Sequence, residues 1–213
     1  MMGMRKGLAA GLVAIAMLAV SGQPAHAGVV FKAFLDSGQE VAPGGATASP
    51  ATATAEMRLV GDTLRYSLFF DNSFDFGPVA TGGTPSDFND ITALHIHNEV
   101  RGANGPVVLG VINPSLEADR VISFDIAGNV TVTGVWDNGD GPNPFSEFVD
   151  VFRDARPGDE LPLYWNLHSV ADPGGVIRGQ ISAVVPEPGA LTLLGVALLG
   201  LAGLSVLRHQ RNG

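Results

Sequence analysis

The chain has 213 residues, no Cys, and 12 Lys and Arg against 21 Asp and Glu. An acidic chain lacks the basic face that nucleic-acid binding requires, and a chain without Cys has no disulfide scaffold, thiolate metal site or Cys nucleophile. Its mean hydropathy is nevertheless positive, at +0.24, because uncharged apolar runs sit at both ends; residues 28–185 alone hold 8 basic and 20 acidic residues, a net charge of −12.

The N-terminus starts with Arg5 and Lys6, runs apolar from Gly7 to Val20 and reaches Ala25-His26-Ala27. A basic start, a short apolar stretch and an A-x-A site spell a secretory signal peptide over residues 1–27, cut after Ala27. The apolar run is short for a membrane span.

Residues 28–184 read as one all-β domain. Val29–Leu35, Thr52–Val60, Leu64–Phe70, Ile91–His97, Val107–Val111, Arg120–Asp125, Asn129–Trp136, Leu161–His168 and Val176–Val184 are short β-branched or aromatic segments between Gly, Pro, Asn and Asp. They predict an antiparallel, Greek-key-like β-sandwich of about 8–9 strands. Phe145, Phe148, Val149 and Phe152 recur at helical spacing, so Pro144–Ala155 reads as a short helix in a crossover loop. Gln39–Ser49 and Asn72–Asp90 read as loops. Asp137-Asn138-Gly139-Asp140-Gly141 has the composition of a calcium loop without EF-hand spacing, and reads as a turn.

This domain has three His. His95 and His97 are two apart in a strand, so both side chains face one side. His168 shares a face with Tyr164 and Asn166 on another strand. If the two strands are neighbours, three imidazoles converge in a set that suits Cu or Zn. The alternative is that the rings only make hydrogen bonds within the sheet. No pair of carboxylates is selected by spacing among Asp36, Glu40, Asp87, Asp90 and Glu99, and no Gly-x-Ser-x-Gly or phosphate loop is present. Arg178, inside a strand pattern, is expected to form a partly buried pair with a carboxylate. Gly179 and its neighbours Gly174 and Gly175 are expected to serve a turn and a close sheet crossing.

The C-terminus reads Pro186-Glu187-Pro188, then Gly189 to Leu207 without a charge, then a tail with Arg208 and Arg211. Gly189–Leu207 would span about 28 Å as a helix, enough to cross a bilayer. The basic tail belongs in the cytoplasm and the domain outside.

Two family resemblances and a third, partial one sit on these residues. The Pro186-Glu187-Pro188 triplet, the apolar helix and the basic tail over 185–213 resemble the PEP-CTERM sorting signal. That resemblance implies passage through the inner membrane, processing by an exosortase-type enzyme, and delivery to the cell surface or extracellular space, commonly beside exopolysaccharide or other matrix components. Over about Val29–Ala183, the opening Phe31-x-x-x-Leu35-x-x-x-Gln39-Glu40-Val41-x-Pro43 resembles that of the chordin-type CHRD domain. So do the central Leu94-His95-Ile96-His97 with Asn104-Gly105-Pro106, and the closing Tyr164-x-Asn166-x-His168 with Arg178-Gly179-Gln180. This second resemblance implies an extracytoplasmic β-sandwich module, with Asn104, Gly105, Pro106, Asn166, Arg178 and Gly179 as structural motif residues. The His-x-His strand also partly resembles copper/zinc superoxide dismutase, but dismutase copper takes four imidazoles and this domain has three. Together the readings describe an exported, non-catalytic surface or matrix protein, or else a copper- or zinc-binding extracytoplasmic protein or redox enzyme built on His95, His97 and His168.

Overall fold

A computed structural model describes residues 29–41 and 49–184. The expected signal peptide with Ala25 and Ala27, and the expected sorting segment with Pro186, Glu187, Pro188 and its membrane helix, lie outside these residues. Among the described residues no helix is long and apolar enough to cross a membrane.

Among the described residues nine strands form: β1 Val30–Leu35, β2 Ala53–Val60, β3 Thr63–Phe70, β4 Ile91–His97, β5 Val107–Ile112, β6 Val121–Phe124, β7 Val130–Trp136, β8 Glu160–Ser169 and β9 Ile177–Val184. They match the nine expected segments to within a residue or so at most ends. Two short helices, α1 Gly77–Thr81 and α2 Val149–Arg153, lie in the long loops, and 3-10 turns form at Ser37–Gln39 and Phe145–Glu147. The expected crossover helix is therefore a 3-10 turn followed by α2.

The expected antiparallel, sandwich-like β fold of about 8–9 strands is present, built as one continuous nine-stranded sheet in the order β5-β4-β8-β9-β1-β2-β3-β7-β6, antiparallel throughout. The reason is β1, which pairs with β9 on one side and β2 on the other and so welds the two halves together. The sheet curls, and its halves meet face to face. Trp165 of β8 lies 5.3 Å from the Tyr66 ring of β3 and donates its indole N–H to Met57 Sδ of β2 at 3.3 Å. Period-2 alternation reads the same in a sandwich and in a curled sheet, so the local pattern did not separate the two.

The crossover segment plugs one side of the curl. Phe152 packs edge-on to Phe31 at 5.0 Å, and Phe145 and Phe148 each lie 5.1 Å from Trp136. The edge strand β5 is also covered: the Gly110 N–H bonds to Gly141 O at 3.2 Å and the Leu116 N–H to Gly110 O at 2.9 Å. Covering that edge removes a row of unpaired backbone groups.

Candidate functional site

The site follows from the alternation of three adjacent strands. In β4, Leu94 and Ile96 point into the curl; in β8, Leu163, Trp165 and Leu167 do; in β9, Ile177, Ile181 and Ala183 do. The intervening residues must face outward. They are His95 and His97 on β4, Tyr164, Asn166 and His168 on β8, and Arg178 and Gln180 on β9. Register makes a grid of them: His95 is opposite Asn166, His97 opposite Tyr164, and across the other edge of β8 Asn166 is opposite Arg178 and Tyr164 opposite Gln180. This outward layer is polar and yet covered. His95, Tyr164, Asn166, Arg178 and Gln180 are all buried.

Loops roof the layer, held by Arg178. Its guanidinium donates to Ala103 O at 2.8 Å, Val100 O at 3.1 Å, Asn104 Oδ1 at 3.4 Å and Gln180 Oε1 at 3.2 Å. It also lies 3.4 Å above the Tyr164 ring centre, a cation–π contact. The expected carboxylate pair is thus corrected. Arg178 is fully buried, and its hydrogen bonds go to carbonyl and amide oxygens, while the nearby Glu40 and Glu99 act on it through charge. Gln180 adds to the anchor by donating to Glu99 O at 2.9 Å and Leu161 O at 2.8 Å.

Asn104, Gly105 and Pro106 lie within the roof loop between β4 and β5. Asn104 Nδ2 donates to Val41 O at 3.3 Å, and Pro106 O accepts the Asn98 N–H at 2.9 Å. Gly105 is required by space, since a Cβ there would collide with Asn98 O. Gly179 lies in β9 opposite Trp165, where the strand runs close against β1. Asp137–Gly141 is a turn closed by side chains on backbone, with the Asp137 N–H donating to Asp140 Oδ2 at 2.8 Å.

The three imidazoles meet under this roof. Ring centroids are 5.5 Å apart for His95–His97, 5.1 Å for His95–His168 and 6.2 Å for His97–His168. Each ring has one nitrogen committed to a main-chain carbonyl: His95 Nε2 donates to Asn113 O at 2.9 Å, His97 Nδ1 to Gly105 O at 2.9 Å and His168 Nδ1 to Pro173 O at 3.0 Å. A carbonyl can only accept, so each contact fixes the tautomer and leaves the other nitrogen bare. The bare atoms are His95 Nδ1, His97 Nε2 and His168 Nε2, all buried and without a hydrogen-bond partner. One ring nitrogen from each residue lies within 4.8 Å of the others. Some point then lies within about 2.8 Å of all three atoms, so closing to about 2.0–2.1 Å requires shifts under roughly 1 Å.

Burial sets the protonation. Desolvation holds all three imidazoles below their ordinary value, with His97 and His168 lowered to about 4. The rings are therefore neutral at physiological pH, the form that ligates metals. Glu40, in the roof beside the grid, behaves in the opposite direction. Burial pushes its carboxyl up to about 7, against the pull of Arg178 and with help from Asp172. Its Oε1 and the Asn166 Oδ1 are buried without partners, and both line the space left by Gly175, whose φ is 128°. The sequence marked Glu40 as one acid among several; its burial comes from loop packing, which no local spacing encodes.

A curled nine-stranded antiparallel sheet with a loop-roofed polar layer on one outer face defines the class: an all-β module with its candidate site outside the apolar core. The chain belongs to the CHRD domain family, whose domain matches residues 31–181, and CHRD domains are modules of extracellular or secreted proteins. No curated protein and no solved structure matches the chain.

An NMR titration of the metal-free protein checks this electrostatic picture. The His97 and His168 ring signals are expected to titrate with midpoints near 4. Midpoints near the ordinary histidine value of about 6.5 would mean that the rings are solvated rather than roofed.

Proposed function

We propose that this is an exported surface protein whose CHRD domain holds one transition-metal ion, copper or zinc, on His95, His97 and His168. One convergence carries the metal reading: the three rings bring one nitrogen each within 4.8 Å of the others, and each ring has a buried nitrogen without a hydrogen-bond partner. A purely hydrogen-bonding role accounts for the other nitrogen of each ring. It leaves these three desolvated without compensation, which native interiors rarely tolerate. A metal ion would satisfy all three at once. The carbonyls on the far nitrogens are the usual outer partners of metal-ligating His, fixing tautomer and ring orientation.

The export reading is supported by the residues of the two ends together with the family. The basic-apolar-Ala25-His26-Ala27 start is a secretory pattern. The Pro186-Glu187-Pro188 tail is read as a substrate for an exosortase-type enzyme, with the chain anchored in the inner membrane until that step. The released domain then resides at the cell surface or in the matrix, where its acidity keeps it soluble and leaves exopolysaccharide as a neighbour it could meet.

The metal reading is tested by loading the purified chain with Zn(II) or Cu(II) and measuring metal after removing the excess. About one ion per chain is expected for the wild type, with binding at least about 100-fold weaker in His95→Ala and in His168→Ala while circular dichroism stays unchanged. Equal metal content in folded wild type and both folded variants would sink the site. The sorting reading is tested separately by deleting Pro186–Gly213. The truncated protein is expected to lose its surface retention, and a truncated protein still held at the surface would count against it.

A further inference from the structure

The site has an electrostatic character that discriminates between ions. Its three donors are neutral imidazoles, and the groups behind them are the neutral carbonyls of Asn113, Gly105 and Pro173. The fixed charge built into the layer is positive. His97 of β4 stacks on Tyr164 of β8 at 4.9 Å with planes 9° apart, and the Arg178 guanidinium of β9 lies on the same ring at 3.4 Å. Strand order places Tyr164 between them. The charge of Arg178 reaches His97, where it opposes protonation. The acid bordering the grid, Glu40, is itself held partly neutral by burial.

We infer, resting on the metal reading above, that the three-His site selects monovalent copper, Cu(I), over divalent zinc or copper. Burying an ion from water costs free energy that rises with the square of its charge, so a dry site without anionic donors penalises a divalent ion most. Repulsion from Arg178 also doubles for a doubly charged ion. Zn(II) in three-ligand sites completes its sphere with a water. Here the three bare nitrogens are shielded from solvent, which suits an ion content with three donors. Imidazole binds copper and zinc alike, so charge and coordination number decide between them.

Asn166 offers the means to test this. It sits at the centre of the grid, opposite His95 and two residues from His168, and its Oδ1 is buried without a partner. Asn166→Asp keeps the shape and adds one negative charge. The experiment measures Cu(I), supplied anaerobically as its acetonitrile complex, and Zn(II), each in competition with a chromogenic chelator on the purified chain at about pH 7, above the ordinary histidine value below which burial holds all three imidazoles. The wild type is expected to bind Cu(I) more than about tenfold tighter than Zn(II). Asn166→Asp is expected to shift that ratio toward Zn(II) by at least about tenfold, since added negative charge favours the divalent ion twofold in energy. Zn(II) binding as tightly as Cu(I) in the wild type would overturn the inference while leaving the metal site standing, as would an unchanged ratio in folded Asn166→Asp. Binding of neither ion would instead overturn the metal reading. If Asn166→Asp fails to fold, the wild-type ratio decides alone.

Discussion

The buried guanidinium of Arg178 is the contact on which the outer layer depends. A strand with one face in an apolar core normally offers the other face to water. Here β4, β8 and β9 offer histidines, an amide and a tyrosine, and those groups are roofed instead. Arg178 makes this possible because its planar fork reaches four acceptors at once, two of them roof carbonyls. That attachment brings the Asn98–Pro106 loop down on Tyr164, and the Gly105 carbonyl of the same loop orients His97. The Gly105 N–H in turn donates to Tyr164 Oη at 3.2 Å. A positive residue thereby organises a set of neutral imidazoles beside itself.

The two faces of these strands divide the work of the domain. The inner face, with Trp165, Leu167, Leu94 and Ile96, supplies apolar burial and fixes the register, since a one-residue slip would turn every side chain over. The outer face inherits that register without contributing to the core. Its three imidazoles are positioned by the same pairing that packs the interior, with a main-chain carbonyl orienting each ring. On the proposed metal reading, donors held in this way suit a metal centre better than a flexible loop would. This also frees the domain from disulfides: with no Cys in the chain, the curl is closed by aromatic packing of Phe145, Phe148 and Phe152 and by the pairing of Gly110 with Gly141.

Much of this was legible in the sequence because it is local. Alternation and turn residues located all nine strands, and the spacing of Phe145, Phe148 and Phe152 located the crossover plug. The two-residue spacing of His95 and His97 put them on one face, and the alternation of the other strand let His168 join them if the two strands were neighbours. What stayed hidden is non-local. Whether nine strands make two sheets or one depends on β1 pairing on both edges, a choice that alternation does not record. The carbonyls of Asn113, Gly105 and Pro173 carry no side-chain signature at all. Asn113 supplies its carbonyl from a left-handed backbone with φ 41°, a conformation that Asn enters more readily than most residues. Arg178 was expected to find a carboxylate because isolated buried charges usually do; loop carbonyls that meet it only in the folded chain took that place.

On the proposed reading three imidazole nitrogens share one ion, and the coordination shell of the loaded protein tests that most directly. X-ray absorption at the edge of the bound metal is expected to show a first shell of three nitrogens at about 2.0–2.1 Å, with the outer-shell scattering of imidazole rings. A shell made of oxygens, or one with a single imidazole, would contradict it.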